Sequence, residues 1–283
     1  MWVILVPVAN RPESAAALET SFNLAQRLGG SVLGAHIRPH RGDKTAIPDD
    51  AMIQDDDSWT MAEGDAATLS VEASDLFSER AKAAGFSVLK KASRNDEKAA
   101  YWQERVGTPQ YVMPILGPAS DMVVVSRPAR KESKKARTFM LQAIMRSHRP
   151  VLVLPKDNSC PALDHIAIGW NCSPEAARAL HAALPVIKSA KKITFITAGN
   201  SHDLGPSFGE MSNYLTMHGV EAERHHEGGA DSTDALLKAY DTVGADTLLT
   251  GAYSQSRWRE RLFGGTTERL LHETDIPLLM LHS

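Results

Sequence analysis

Short, fully apolar runs alternate with longer amphipathic stretches along this chain. Ile4-Leu5-Val6 opens the series, followed by Ala15, Ala16, Leu18, Phe22, Leu24, Ala25 and Leu28 at helical spacing. A second run, Val32 to Ile37, leads into a helical stretch from Ala66 to Ala84, a short strand from Phe86 to Lys90 and a third helix. An apolar strand, a loop, a last helix and a final apolar strand close the series. It then begins again, with Ala176, Ala179, Leu180, Ala183 and Leu184 on the helix after its first strand, then Ile193 to Thr197, Phe208 to Met217 and Glu221 to His225. Short apolar runs alone do not distinguish strand from buried helix, so the strand assignments rest on the alternation. Strands apolar on both faces and separated by helices predict a parallel sheet covered on both sides.

The two series are copies. An offset of 162 places Ile4-Leu5-Val6 on Ile166-Ala167-Ile168 and Pro12-Glu13 on Pro174-Glu175 without a gap. Downstream, "ASDMVVVS" (119–126) matches "GADTLLTG" (244–251), and "RPVLVLP" (149–155) matches "IPLLMLH" (276–282), in the same order. The polar, proline-containing "KDNSCPALD" (156–164) is the linker between a first domain over 1–156 and a second over 164–283. Each is expected to be an α/β doubly wound domain with a five-stranded parallel sheet flanked by helices.

Composition narrows the function classes. The chain has 283 residues, 43% hydrophobic and 23% charged, with a formal net charge of -3, so no basic excess points to nucleic acid and no membrane partner is expected. No apolar run approaches the roughly 18 residues that would span a bilayer. Pro7 interrupts the short apolar start, which reads as a buried strand and not as a signal peptide. Two cysteines twelve residues apart, Cys160 and Cys172, form neither a disulfide framework nor a four-cysteine zinc site, and a reducing cytoplasm fits them. The stretch 39–65 occurs only in the first copy and holds five aspartates between 49 and 57. It lacks the spacing of a calcium loop and is expected to be solvated. Arg127, Arg130, Lys131, Lys134, Lys135 and Arg137 make the last loop of the first copy basic; it too is expected to be a solvated helix start.

The candidate chemistry gathers in the second copy. Ligands of open parallel sheets sit outside the carboxyl ends of the strands, and there "GAYSQSRWRERLFGGTT" (251–267) joins an apolar strand to the last helix. Gly251 leaves room for a ligand beside the backbone. Gly264, Gly265, Thr266 and Thr267 stand where free helix N–H groups and the helix dipole favour a phosphate. Trp170, Asn171 and Ala198, at neighbouring strand ends, are expected to line the rest of the pocket. The equally physical alternative is a helix start that binds nothing.

Two rival patterns are weaker. Gly205-Pro206-Ser207-Phe208-Gly209 matches G-x-S-x-G formally, but that nucleophile turn must leave a strand directly, and a polar loop precedes Ser207. His225, His226 and Glu227 are consecutive on a predicted strand, so neighbours point to opposite faces and do not share an ion easily. No metal site is expected. Neither a Walker sequence nor G-x-G-x-x-G is present.

"IAIGWNCSPEAARAL" (166–180), "GADTLLTGAYSQSRWRERLFGGTTERLL" (244–271) and "IPLLMLH" (276–282), with "ASDMVVVSRP" (119–128) and "RPVLVLP" (149–155), resemble the universal stress protein family in its tandem, two-domain form. The resemblance covers nearly the whole chain and implies a non-catalytic binding or signalling role in stress response. No cofactor is required, and ATP or another adenine nucleotide is the ligand it implies. ATP-binding members carry glycine, two residues, glycine, nine residues, glycine, then serine or threonine. Gly251 fills the first position, Ser254 replaces the second glycine, Gly264 fills the third, and Gly265 takes the serine/threonine position with Thr266 one step later. The acidic residue that ends the family's first strand is replaced by Gly169-Trp170-Asn171, and the first copy keeps neither of the first two glycines. The resemblance also implies that the last strands of the two copies pair, forming an intramolecular pseudo-dimer. A homodimer and protein partners of unknown identity stay open, as does a structural module that binds no nucleotide.

Overall fold

The architecture follows from two parallel sheets that share an edge. The computed structural model describes residues 2–38, 63–92, 96, 98–128, 134–157, 159–198, 205–228, 232–252 and 265–282. Most of the acidic 39–65 stretch, Arg130, Lys131, Ser254 and Gly264 lie outside these residues, as do the side chains of Lys134 and Lys135.

In the first half, the elements are β1 (Val3–Pro7), α1 (Pro12–Leu28), β2 (Ser31–Arg38), α2 (Glu63–Ala83), β3 (Ser87–Leu89), β4 (Ala99–Val106), α3 (Pro109–Leu116), β5 (Met122–Ser126), α4 (Lys134–Arg146) and β6 (Val151–Leu154). The second half has β7 (His165–Gly169), α5 (Pro174–Ala182), α6 (Leu184–Ser189), β8 (Lys192–Ala198), α7 (Phe208–Met217), β9 (Glu223–Glu227), α8 (Ser232–Val243), β10 (Thr247–Ala252), α9 (Gly265–His272) and β11 (Leu278–His282). Strand order across the single sheet is β3-β4-β2-β1-β5-β6-β11-β10-β7-β8-β9. All pairs are parallel except β6 with β11. Each half therefore has its first strand (β1 or β7) inside the sheet, β1 between β2 and β5 and β7 between β8 and β10.

Two features depart from the sequence pattern. The first half has six strands, because "AAYWQERV" forms β4 in continuous register with β2, from Val32 opposite Ala100 to Arg38 opposite Val106. Its outer end is charged and exposed, so no apolar run marked it, and pairing with β2 decided its conformation. The helix expected over 176–184 is also shorter. Pro185 has no N–H to donate to the preceding turn, so a second helix, α6, starts at Leu184.

Alternation along the strands builds a core on each face. Ile4, Val124, Leu152, Ile168, Phe195 and Leu279 pack with α1, α2, α5, α6 and α7. Leu5, Val123, Val153, Ile196, Leu248 and Met280 pack with α3, α4, α8 and α9. The repeated Ser/Ala-Asp before β5 and β10 has a structural use in both copies. Asp121 accepts a hydrogen bond from Val3 N at 2.8 Å, and Asp246 accepts from Asp164 N at 2.8 Å and His165 N at 3.1 Å. Each carboxylate thus pins the start of its half's central strand.

The halves join where β6 meets β11 antiparallel, with Leu278 opposite Val153, Leu279 opposite Leu152 and Met280 opposite Val151. All six side chains are fully buried, and burial of each contributes about 1.5–3 kcal/mol. Polar contacts close the end of this seam where β6 finishes and β11 begins. Arg127, expected in a solvated basic loop, is instead 1% exposed and donates to Thr274 O at 2.6 Å and Ile276 O at 2.9 Å across the seam. The reason is positional: the residue after β5 leaves the sheet against the turn between α9 and β11. Arg137 donates to His272 Nε2 at 3.1 Å, so that nitrogen carries the lone pair. Lys156 reaches His272 O at 3.3 Å and Asp275 at 3.3 Å.

Two seam histidines set an acid sensitivity. Burial, and then the nearby charge of Arg137, hold His272 below the ordinary histidine value; Arg127 and Lys156 act in the same sense, and Glu268 opposes them. Burial and then His148 lower His282. Both bind protons less readily folded than unfolded, so their contribution is complete above about pH 6.5 and is lost as pH falls through the depressed folded values. Thermal unfolding between about pH 8 and pH 5 is expected to show this loss on the acid side, and replacing both histidines with glutamine is expected to flatten the slope. An unchanged slope in the double variant would remove the seam histidines as its source.

Candidate functional site

The second half brings most of its candidate residues to the carboxyl edge of the sheet, beside the switch point between β7 and β10. Strand β7 ends at Gly169, β8 at Ala198 and β10 at Gly251-Ala252, while α9 begins at Gly265. Polar strand ends and helix starts meet here because parallel connections return every strand's carboxyl end to the same edge.

Gly251 has a packing reason that the sequence did not reveal. A Cβ there would lie 3.0 Å from Glu175 C and 3.2 Å from Ala176 N, in the first turn of α5. In the first copy the matching residue, Ser126, instead donates its hydroxyl to Glu13 O at 2.7 Å. The same strand-to-helix approach is thus made through a hydrogen bond in one half and through a bare backbone in the other. Gly265 is different: it is exposed, and a Cβ built on it meets nothing within 4 Å among the described residues.

On the α8–α9 face, Thr266 Oγ1 lies 2.9 Å from Thr233 Oγ1, tying together the starts of α9 and α8. Arg269 pairs with Asp234 at 2.6 Å one turn further along. Thr267 is buried at 7% exposure and belongs to the helix packing more than to the surface. Ala198 packs beside this same core layer. Two helix starts therefore stand close together at the sheet edge, and the positive dipole end of a helix suits an anion.

Trp170 does not join them. Its ring is 3% exposed, packs edge-on to Phe195 with centroids 5.5 Å apart, and donates Nε1–H to Pro206 O at 3.2 Å. It lies in the core layer of α5 to α7, on the opposite face of the sheet from Ala198 and Thr266. One residue past the end of β7, the large apolar ring takes the face that buries it. Asn171 is exposed, and its side-chain carbonyl accepts from Ser173 N at 3.2 Å, shaping the turn into α5. Ser254 and Gly264 lie outside the described residues.

The G-x-S-x-G match is a helix cap. Ser207 Oγ accepts from Glu210 N at 3.3 Å, and the Glu210 carboxylate accepts from Ser207 N at 2.7 Å and from its hydroxyl at 2.8 Å. Those bonds hold Glu210 below its ordinary pKa. Strand β8 ends at Ala198, well before α7 begins at Phe208, so the direct strand-to-helix turn of a nucleophile elbow is not formed here. Gly205 serves packing: a Cβ on it would fall 1.9 Å from Cys172 O. His226 bonds Thr197 Oγ1 through Nδ1 at 3.0 Å, and His225 faces Glu227 at 3.6 Å. Among the described residues, no group of three or more histidines, cysteines or carboxylates could hold a metal ion, and no helix is long and apolar enough to cross a membrane.

Comparison with known proteins follows the same lines. No family model matches the chain. Universal stress proteins of Mycobacterium tuberculosis and Mycobacterium bovis are 25% identical to it over 135 residues, covering 40% of this chain. The match spans 46% of those relatives' own length. The crystal structure of a universal stress protein from Archaeoglobus fulgidus superposes on 99% of this chain and 98% of its own at 17% identity, with a TM-score of 0.71. A universal stress protein solved in complex with cAMP aligns with 42% of this chain and 97% of its own at 20% identity, with a TM-score of 0.31.

Two substitutions separate cap from nucleophile. Ser207→Ala is expected to lower stability by about 1 kcal/mol, the ordinary cost of an N-cap, while Gly205→Ala, forced against backbone, is expected to cost about 1–3 kcal/mol. Denaturant unfolding measures both; a neutral Gly205→Ala would contradict the close approach to Cys172.

Proposed function

We propose that this chain, which belongs to the universal stress protein family, is a two-domain binding or signalling protein that holds an adenine nucleotide in its second half without turning it over. The domains are 1–156 and 164–283, and the setting is a cytoplasmic stress response. The observation that carries the reading is the junction of the α8 and α9 starts through Thr233 and Thr266 at the β7–β10 switch point. Gly265, Thr266 and Thr267 offer backbone N–H groups, and Thr266 its hydroxyl, to phosphate oxygens. Gly251, Ala198 and Asn171 flank them, and Ser254 and Gly264 complete the loop by their place in the motif. That a Cβ on Gly265 meets nothing within 4 Å among the described residues supports room there for the phosphate and for the side chain that the family's motif carries.

A second reading, an interaction module without nucleotide, has its own observation. Gly251 and Trp170 are both accounted for by packing alone, and no carboxylate ends β7 to meet a ribose. Calorimetric titration with ATP, ADP and AMP decides between the readings. Saturable binding at one site per chain, weakened by Thr266→Val and strengthened by Gly265→Ser, is expected. No heat with any of the three nucleotides, together with none released from the denatured protein in mass spectrometry, would favour the interaction module.

A further inference from the structure

The first half has given up the family's glycine pattern after β5, and the structure gives the residue standing there another task. Arg127 follows Ser126, the last residue of β5, where the second copy has Ala252 after Gly251. Its guanidinium reaches toward the other half. It crosses the seam and donates to Thr274 O and Ile276 O, the carbonyls that follow α9. Lys156, at the end of the first half, donates to His272 O, the last carbonyl of the same helix, and pairs with Asp275. A helix leaves its final carbonyls without internal partners and carries partial negative charge at that end. Around the end of α9, Glu273 N and Thr274 Oγ1 serve Arg269 O and Leu270 O from the same segment, while from the other domain Lys156 meets the last helical carbonyl and Arg127 the carbonyls of the turn that follows. Burial pushes Arg127 down to about 10, against the opposing charge of Asp275, so it remains protonated near neutral pH.

The opposite end of α9 is the start at which Thr266 meets Thr233. The helix has eight residues, about 12 Å from end to end at 1.5 Å per residue. So short a helix does not hold together by its own hydrogen bonds, and its order depends on its ends and its packing. We propose that Arg127 and Lys156 clamp the carboxyl end of α9 from the neighbouring domain and thereby set the order of the anion-facing start of that helix. The degenerate first copy then works as a positioning element for the second copy's site. This coupling rests on the nucleotide reading for its functional consequence, but the clamp itself is measurable without ligand.

The test pairs Arg127→Met with Lys156→Met in the full chain, using amide hydrogen exchange of residues 266–272 without ligand and calorimetric titration with ATP. Faster exchange confined to α9 and the turn after it, and ATP affinity weakened about fivefold or more, are expected, with Arg127→Lys restoring part of both. If wild-type protein binds no ATP while the variants still loosen α9, the nucleotide reading fails and the clamp stands. If α9 exchanges as in wild type in both variants, or ATP affinity is unchanged although α9 is looser, the proposal is overturned. Should Arg127→Met not fold, Lys156→Met decides alone: its side chain is 19% exposed and makes only part of the contact, and wild-type exchange in it overturns the proposal.

Discussion

The antiparallel meeting of β6 and β11 is the constraint on which the rest of the molecule depends. Each half ends its sheet in a short strand that is apolar where the two meet, and such an edge exposed to water would be both costly and an invitation to unwanted pairing. Pairing the two edges buries Leu152, Val153, Leu278 and Leu279 completely and merges two parallel sheets into one. It also fixes which side of each half faces the other. The turn after α9 is thereby brought under the strand end of the first half, where Arg127 finds its carbonyl partners.

Duplication followed by unequal change explains the asymmetry around that seam. The aspartates before β5 and β10 still make the same bonds to the starts of β1 and β7. At the end of those strands the copies diverge. Ser126 hydrogen-bonds the first turn of α1 where Gly251 packs bare against α5. The next residue is a cross-domain arginine in one copy and a buried alanine in the other. Conserved contacts thus maintain the sheet, while changed ones sit at the edge where a parallel sheet gathers its ligand-facing ends.

Much of the fold was legible because burial imposes a period. Strands covered on both faces must be apolar throughout, and helices on them must be apolar on one side, so the order of elements and the repeat could be read directly. Strand β4 was not legible: Tyr101, Trp102, Gln103, Glu104 and Arg105 carry no strand pattern, and only β2 beside them makes them one. The candidate site divides in the same way. The glycine-threonine start of α9 could be read from local helix chemistry. The packing of Gly251, the capping bonds of Ser207 and the inward turn of Trp170 each depend on a partner distant along the chain or on the face a side chain takes.

The sequence by itself determined the alternating α/β class, the two copies, the apolar closing strands and the position of the glycine-threonine helix start, since each follows from periodicity or from chemistry within a few residues. Tertiary structure alone decided that Arg127 is buried across the seam, that Trp170 and Thr266 lie on opposite faces of the sheet, and that the first half supplies the cations at the end of α9. The physical reason is that a side chain's partners are set by which elements the sheet brings together. A charge beside other charges in the sequence reads as solvated until the fold shows a carbonyl waiting for it.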